Sequence, residues 1–162
     1  MTAVGAVATL TGPPSFPNAG FTPGTHPVWI SASIATTQID HNDDSILLAG
    51  PMPDVAYIKN APGVFVARWT DLDTNATETL DFDLGFGGSD GVLDHTFINN
   101  GTASEDAGVA ASAQIAARDP WIDIGGLYVI MEVIVKAATP DTGTVQVGFE
   151  YTQNVLATAF AE

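Results

Sequence analysis

The sequence predicts an all-β fold: a β-sandwich of jelly-roll type with an extended N-terminal arm and at most one short helix. Three observations predict it. Residues 79–86 alternate without a break, with Leu80, Phe82, Leu84 and Phe86 on one side and Thr79, Asp81, Asp83 and Gly85 on the other. A period of two marks a strand with one buried and one wet face. Elsewhere the apolar segments are short and bounded by Gly, Pro, Asn and Asp, the pattern of strands joined by turns. Only one segment has helical character. With 162 residues, 46% of them hydrophobic, the chain is long enough to bury its own core. It divides into an arm, residues 1–28, and a sandwich domain, residues 29–162.

The arm holds Pro13, Pro14, Pro17, Pro23 and Pro27 with four glycines, and His26 is its one ionisable side chain. Proline blocks helix and central strand alike. Phe16 and Phe21 are large apolar groups that a loose tail leaves wet. The segment is therefore read as an extended arm that orders on a neighbouring surface; the alternative is a floppy tail or a strap over its own core. Fully extended, residues 1–28 reach about 90 Å, enough to cross onto another subunit.

A strand is expected at residues 28–34, then a polar loop from Asp40 to Asp44, and a strand at residues 45–49 stopped by Gly50-Pro51-Met52-Pro53. Residues 55–59 and 63–70 follow, split by Asn60-Ala61-Pro62. In the latter, Phe65, Ala67 and Trp69 alternate with Val64, Val66 and Arg68; apolar groups on both faces suit a central strand. After the acidic, glycine-rich loop at residues 87–91 comes a strand at 95–98 and an Asn99-Asn100-Gly101 turn. Thr102 with Glu105 fits a capping box ahead of the alanine-rich residues 107–117, a short helix weakened by Gly108 and ended by Asp119-Pro120. Residues 127–136 and 144–152 are the last two strands, joined by residues 137–143 as antiparallel neighbours.

Charge excludes whole classes of partner. Nineteen Asp and Glu face four basic residues, Lys59, Arg68, Arg118 and Lys136, for a net charge of −15. Such a surface repels phosphate, so neither nucleic acid nor an anionic membrane is an expected partner. Close self-assembly needs apolar contact or salt screening over roughly 8–10 Å. The absence of cysteine removes disulfides, thiolate metal sites and cysteine nucleophiles. No basic residue precedes Lys59, so no secretory signal is read, and no run approaches the ~20 apolar residues of a membrane span. The expected place of synthesis is a cytoplasm.

Candidate chemistry is sparse. Asp71, Asp73, Asn75 and Glu78 begin like a calcium loop, and calcium takes about six to eight oxygens. The pattern then fails, with Ala76 where the EF-hand has glycine and Phe82 where it has glutamate. A different site would have to add Asp90 or Asp94. The reading adopted is a turn whose Asp and Asn side chains bond backbone amides, with no metal. His26, His41 and His95 lack metal-ligand spacing. There is no GxSxG, and although carboxylates are plentiful enough for glycoside hydrolysis nothing singles out a pair, so no catalytic residues and no cofactor are assigned. Trp29, Trp69 and Trp121 could make a sugar-stacking platform; Trp69 reads as core and Trp121, after Pro120, as exposed. Asn75 and Asn100 lie in glycosylation sequons that carry no weight without a signal peptide.

Three features resemble small virion proteins of tailed bacteriophages. One is Asp71-Leu72-Asp73-Thr74-Asn75 leading into Thr79-Leu80-Asp81-Phe82-Asp83-Leu84-Gly85. Another is the Gly/Asp loop running into Asp94-His95-Thr96-Phe97, followed by Ala107-Gly108-Val109-Ala110. The last is Gly143-Thr144-Val145-Gln146-Val147 running on to Tyr151. About half the chain is covered. The family resembled is that of capsid decoration, or cement, proteins. The resemblance implies a non-enzymatic protein on the capsid exterior, made in the bacterial host cytoplasm, commonly trimeric and bound to the major capsid protein. The arm lies outside the matched region; from its Pro/Gly-rich, uncharged composition with large apolar groups, Phe16, Pro17, Phe21, Pro23 and Trp29 are the expected capsid-binding residues. The rivals are a phage tail or fibre component and a carbohydrate-binding module using Trp121.

Overall fold

Phe82 and its i±2 neighbours build the centre of the core. The computed structural model describes residues 7–9, 24–77, 79–99, 108–111 and 120–153. In it Leu80, Phe82, Leu84 and Phe86 are all buried. The described residues form β1 (Val7–Thr9), β2 (Gly24–Ile34), β3 (Ser45–Ala49), β4 (Tyr57–Lys59), β5 (Phe65–Trp69) and β6 (Asp81–Gly87). Then come β7 (Leu93–Asn99), β8 (Gly108–Ala111), β9 (Trp121–Asp123), β10 (Tyr128–Val135) and β11 (Gly143–Gln153). One turn of 3₁₀ helix at Thr36–Gln38 follows β2, and no α-helix occurs among the described residues.

The β6 sheet has the order β1-β3-β10-β6-β7 and is antiparallel apart from the β1–β3 pair. The second sheet is organised by β11. β2 runs along one side of it from Gly143 to Gln153; on the other side β5 pairs with residues 145–149 and β4 joins at Thr152. β8 extends β5, and β9 extends β4. The sheets pack face to face. Phe65 and Phe149 of the β11 sheet meet Phe86 of the β6 sheet at centroid distances of 5.7 and 5.1 Å, and Trp69 meets Phe82 edge-on at 5.1 Å. Such pairs add roughly 0.5–1.5 kcal/mol each beyond the area they bury. The result is an all-β sandwich, with β5 internal to its sheet as its two apolar faces predict.

The alternation of β6 ends in glycine for a steric reason. A Cβ on Gly85 would stand 2.0 Å from the His95 carbonyl oxygen, and one on Gly87 1.9 Å from that of Val92. Register shifts at both points draw β7 across the outer side of β6. The following turn folds inward too, since the Ser45 hydroxyl donates to the Gly91 carbonyl at 2.8 Å.

Four expectations change. Residues 108–111 are strand, not helix, pairing with β5 from Val66↔Ala111 to Trp69↔Gly108. A few residues of isolated helix are marginal and Gly108 weakens them further, whereas the edge of β5 supplies ladder bonds. Residues 112–117 of that expected helix lie outside the described residues. Next, β10 and β11 are not a hairpin: β10 pairs with β3 and β6, β11 with β2, β5 and β4. The 137–143 loop crosses from one sheet to the other, because it is tied to the β5–β6 crossover rather than closed on itself. Third, the strand expected at residue 28 begins at Gly24; Pro27 is accommodated because β2 is an edge strand. Val7–Thr9 pair in parallel with Ser45–Leu47 of the same chain, so this part of the arm straps its own domain. Finally, Trp121–Asp123 form an unanticipated strand paired with β4.

Candidate functional site

The outer face of the β11 sheet carries the most exposed aromatic group of the described residues. On β2, Ile30, Ala32 and Ile34 turn inward while Thr25, Pro27, Trp29, Ser31 and Ser33 turn outward. Trp29 is 54% exposed. It sits directly across the ladder from Gly148, and a Cβ there would come within 2.6 Å of Trp29 Cε3 and 2.7 Å of Cζ3. The indole therefore leans across β11 in the space that the missing side chain leaves. Val66 Cγ2 closes the far side of that space, 3.3 Å from the same point. The Arg68 guanidinium stands 5.3 Å from the centre of the indole. Arg68 Nε donates to Gln146 Oε1, and Gln146 Nε2 donates to Ser31 Oγ at 3.3 Å. A polar chain thus runs across three strands and holds the cation over the ring, a pairing worth about 0.5–1 kcal/mol at an exposed site.

Next to Trp29 the face is concave. Where β11 exchanges β5 for β4 as its neighbour, a groove of about 880 Å³ opens. Pro27 and Trp29 form one bank, Lys59, Val64 and Trp121 the other, and Glu150 and Thr152 contribute to its floor. Trp121 is half-buried beside Lys59, its ladder partner. The groove thus combines two indole rings with a few polar groups, the usual composition of a recognition surface.

The two outer faces of the sandwich differ in charge. The β11-sheet face balances Lys59 and Arg68 against Asp123 and Glu150. The strands of the β6 sheet contain no lysine or arginine; their acidic residues are the half-buried Asp81 and Asp83, the buried Glu132 and the exposed Asp94. Glu132 lies opposite Asp83 in the ladder. Its burial, then the charges of Asp83 and Asp43, push its carboxyl above the usual range. Burial likewise raises Asp81, against one opposing bond from the Phe82 amide.

Asp73, the centre of the calcium-like motif, has a different occupation. It is fully buried. Its Oδ1 accepts N–H bonds from Asn75 at 3.2 Å and Thr139 at 2.9 Å; its Oδ2 accepts from Thr79 at 2.8 Å, Leu80 at 3.2 Å and Ala138 at 3.1 Å. Burial alone would raise its pKa, but the amides of Thr79, Thr139, Asn75 and Ala138 outweigh it and hold the group at about 2. The Asp141 amide bonds the Leu72 carbonyl at 3.0 Å beside it. Asp73 therefore staples the β5–β6 crossover to the β10–β11 crossover. Asp71 Oδ1 accepts the Asp73 amide at 3.1 Å, as in the expected Asx turn.

The other candidates are dispersed. Asp90 caps the turn after β6, accepting the Val92 amide at 3.2 Å. It and Asp73 lie at opposite ends of β6, a separation of about 23 Å for a strand of 7 residues. Asp71, Asp73, Asn75 and Asp90 consequently form no common site. His26 lies against Tyr151 on the β11 sheet, the rings tilted with centroids 5.0 Å apart, while His95 is on β7 of the other sheet. Asp40, His41 and Asp44 bring one ligand atom each within 4.8 Å of one another, with His41 Nδ1 2.6 Å from Asp40 Oδ1. Trp69 is core, as expected. Phe16, Pro17, Phe21 and Pro23 lie outside the described residues. The Trp29–Gly148–Arg68 association had no local signature, since its three parts come from separate strands.

No protein-family model matches the chain, and no curated protein matches it. Among solved structures, a chain of the cyanophage Pam1 capsid asymmetric unit is similar in fold, over 86% of this chain and 91% of that one, with a TM-score of 0.55 and 20% sequence identity. At that identity the likeness is one of fold.

Proposed function

We propose that this chain is a structural protein of a phage virion: a decoration, or cement, protein that binds the outside of the head and stabilises contacts between capsid subunits. The observation that supports it most is the nearly end-to-end likeness to a chain of a phage capsid asymmetric unit, at 86% and 91% coverage. The motifs resembling decoration proteins point the same way. In this reading the protein is non-enzymatic, is made in the bacterial host cytoplasm, and acts as a homotrimer on the major capsid protein. Its sandwich is a jelly roll, in keeping with consecutive strands that repeatedly change sheet, as from β3 to β4, β5 to β6 and β10 to β11. Phe16, Pro17, Phe21 and Pro23 contact capsid subunits beyond the strap formed by Val7–Thr9. The acidic charge keeps the free protein dispersed until it meets the head.

Co-sedimentation with particles assembled without this protein tests the reading. Saturable binding, together with greater resistance of the particles to heat, is the expected result. Absence of binding at micromolar concentration refutes it. Replacing Phe16 and Phe21 by serine should weaken binding while leaving β1 and β2 in place; unchanged affinity would remove the arm from the proposal.

A further inference from the structure

We infer that the outer face of the β11 sheet, anchored by Trp29, is the surface on which the protein seats against the capsid, with the outer face of the β6 sheet turned to solvent. This rests on the decoration reading and adds an orientation to it. The two faces of the sandwich are on opposite sides of one core, and they are chemically unlike. One of them carries the half-buried Asp81 and Asp83 and the buried Glu132 with no lysine or arginine on its strands, acidic groups whose charge further desolvation by contact would disfavour. On the other, Lys59 and Arg68 offset Asp123 and Glu150, so a chain of net charge −15 has a broad face that is close to neutral.

That face also holds the groups that dominate protein contacts. Trp and Arg are the residues most enriched among binding hot spots, and they act from desolvated pockets. Trp29 is 54% exposed yet held in one posture, leaning over Gly148 under the Arg68 guanidinium. Little side-chain freedom remains to be lost on binding, which favours affinity. The adjoining groove of about 880 Å³ between Trp29 and Trp121 can take an apolar side chain of a neighbour. The occupant is therefore the capsid protein's exterior surface, offering one or two apolar side chains to the groove and carboxylates or carbonyls to Lys59 and Arg68. Net charge argues against nucleic acid and anionic lipid as occupants.

Binding to particles assembled without the protein, compared among variants, decides it. Trp29→Ala is expected to weaken binding by at least about 30-fold, the scale of a hot-spot truncation, and Trp29→Phe by much less. Lys59→Glu combined with Arg68→Glu should also weaken binding. Asp81→Asn combined with Asp83→Asn, on the opposite face, should leave it within about twofold. Unchanged urea midpoints exclude misfolding as the cause. Wild-type binding by both Trp29→Ala and the Lys59/Arg68 variant overturns the orientation while leaving the decoration reading intact; failure of the wild type to bind overturns both. Two further results refute the seating surface. One is loss of self-association in Trp29→Ala with capsid affinity retained. The other is saturable quenching of tryptophan fluorescence by cellohexaose or maltohexaose, lost in Trp29→Ala, with capsid affinity retained.

Discussion

Asp73→Asn is the sharpest test of how this sandwich is held together. The substitution keeps shape and volume but replaces one carboxylate oxygen by an NH₂. Oδ1 receives two backbone N–H groups and Oδ2 three, so either orientation of the amide turns a donor toward at least two donors. The charge contribution follows from linkage. The native pKa is about 2 against an ordinary value of 3.8; at about 1.4 kcal/mol per unit this gap corresponds to about 2.4 kcal/mol. Unmatched donors add about 1–3 kcal/mol. The expected loss at pH 7 is about 3–5 kcal/mol, which lowers the urea midpoint by about 2 M for an m-value near 2 kcal/mol/M. The sign of the pH dependence is also set. A lowered carboxylate pKa stabilises fully above 3.8, and that contribution disappears as pH falls toward about 2. Urea unfolding at pH 7 and at pH 2.5 should therefore show the gap between wild type and Asp73→Asn narrowing by most of the charge contribution. A variant within about 0.5 kcal/mol of wild type at pH 7 would refute the staple. So would a gap that stays constant between the two pH values, because the cost would then not be carried by the ionised group.

Three further outcomes are expected. Phe82→Ala, which empties a fully buried site facing Trp69, should cost about 3–5 kcal/mol in chemical denaturation; a cost below about 1 kcal/mol would mean the core is assembled otherwise. Gly85→Ala places a Cβ 2.0 Å from the His95 carbonyl oxygen. Since backbone must move, a loss of about 2 kcal/mol or more in the same assay is expected, with perturbed amide signals in β6 and β7. Glu132→Gln should stabilise the protein at pH 7, because burial and the nearby Asp83 and Asp43 disfavour the charge. A raised carboxyl pKa means that the wild type gains stability as pH falls through it, so thermal melts at pH 7 and pH 5 should show the advantage of Glu132→Gln shrinking; destabilisation at pH 7 would contradict the electrostatic account.

What the sequence determined by itself is what alternation and local chemistry encode. The inward face of β6, the double-faced β5, the ends of β3 and the Asx turn at Asp71-Leu72-Asp73 depend on residues a few positions apart, and all were legible. Net charge likewise marked an anion-repelling surface without any coordinates. Tertiary structure alone decided which strands share a sheet. Residues 137–143 looked like a hairpin loop because turn residues do not reveal that a distant carboxylate, Asp73, holds the loop at a crossover. Residues 107–117 looked helical because alanine propensity is local, while the edge of β5 that draws in residues 108–111 is not. The candidate surface was hidden for the same reason. Trp29 was named among the expected capsid-binding residues, but its posture requires the absent side chain of Gly148, and its cation comes from Arg68 on a third strand. Periodicity specifies which way a side chain faces; only ladder pairing between remote segments specifies what it faces.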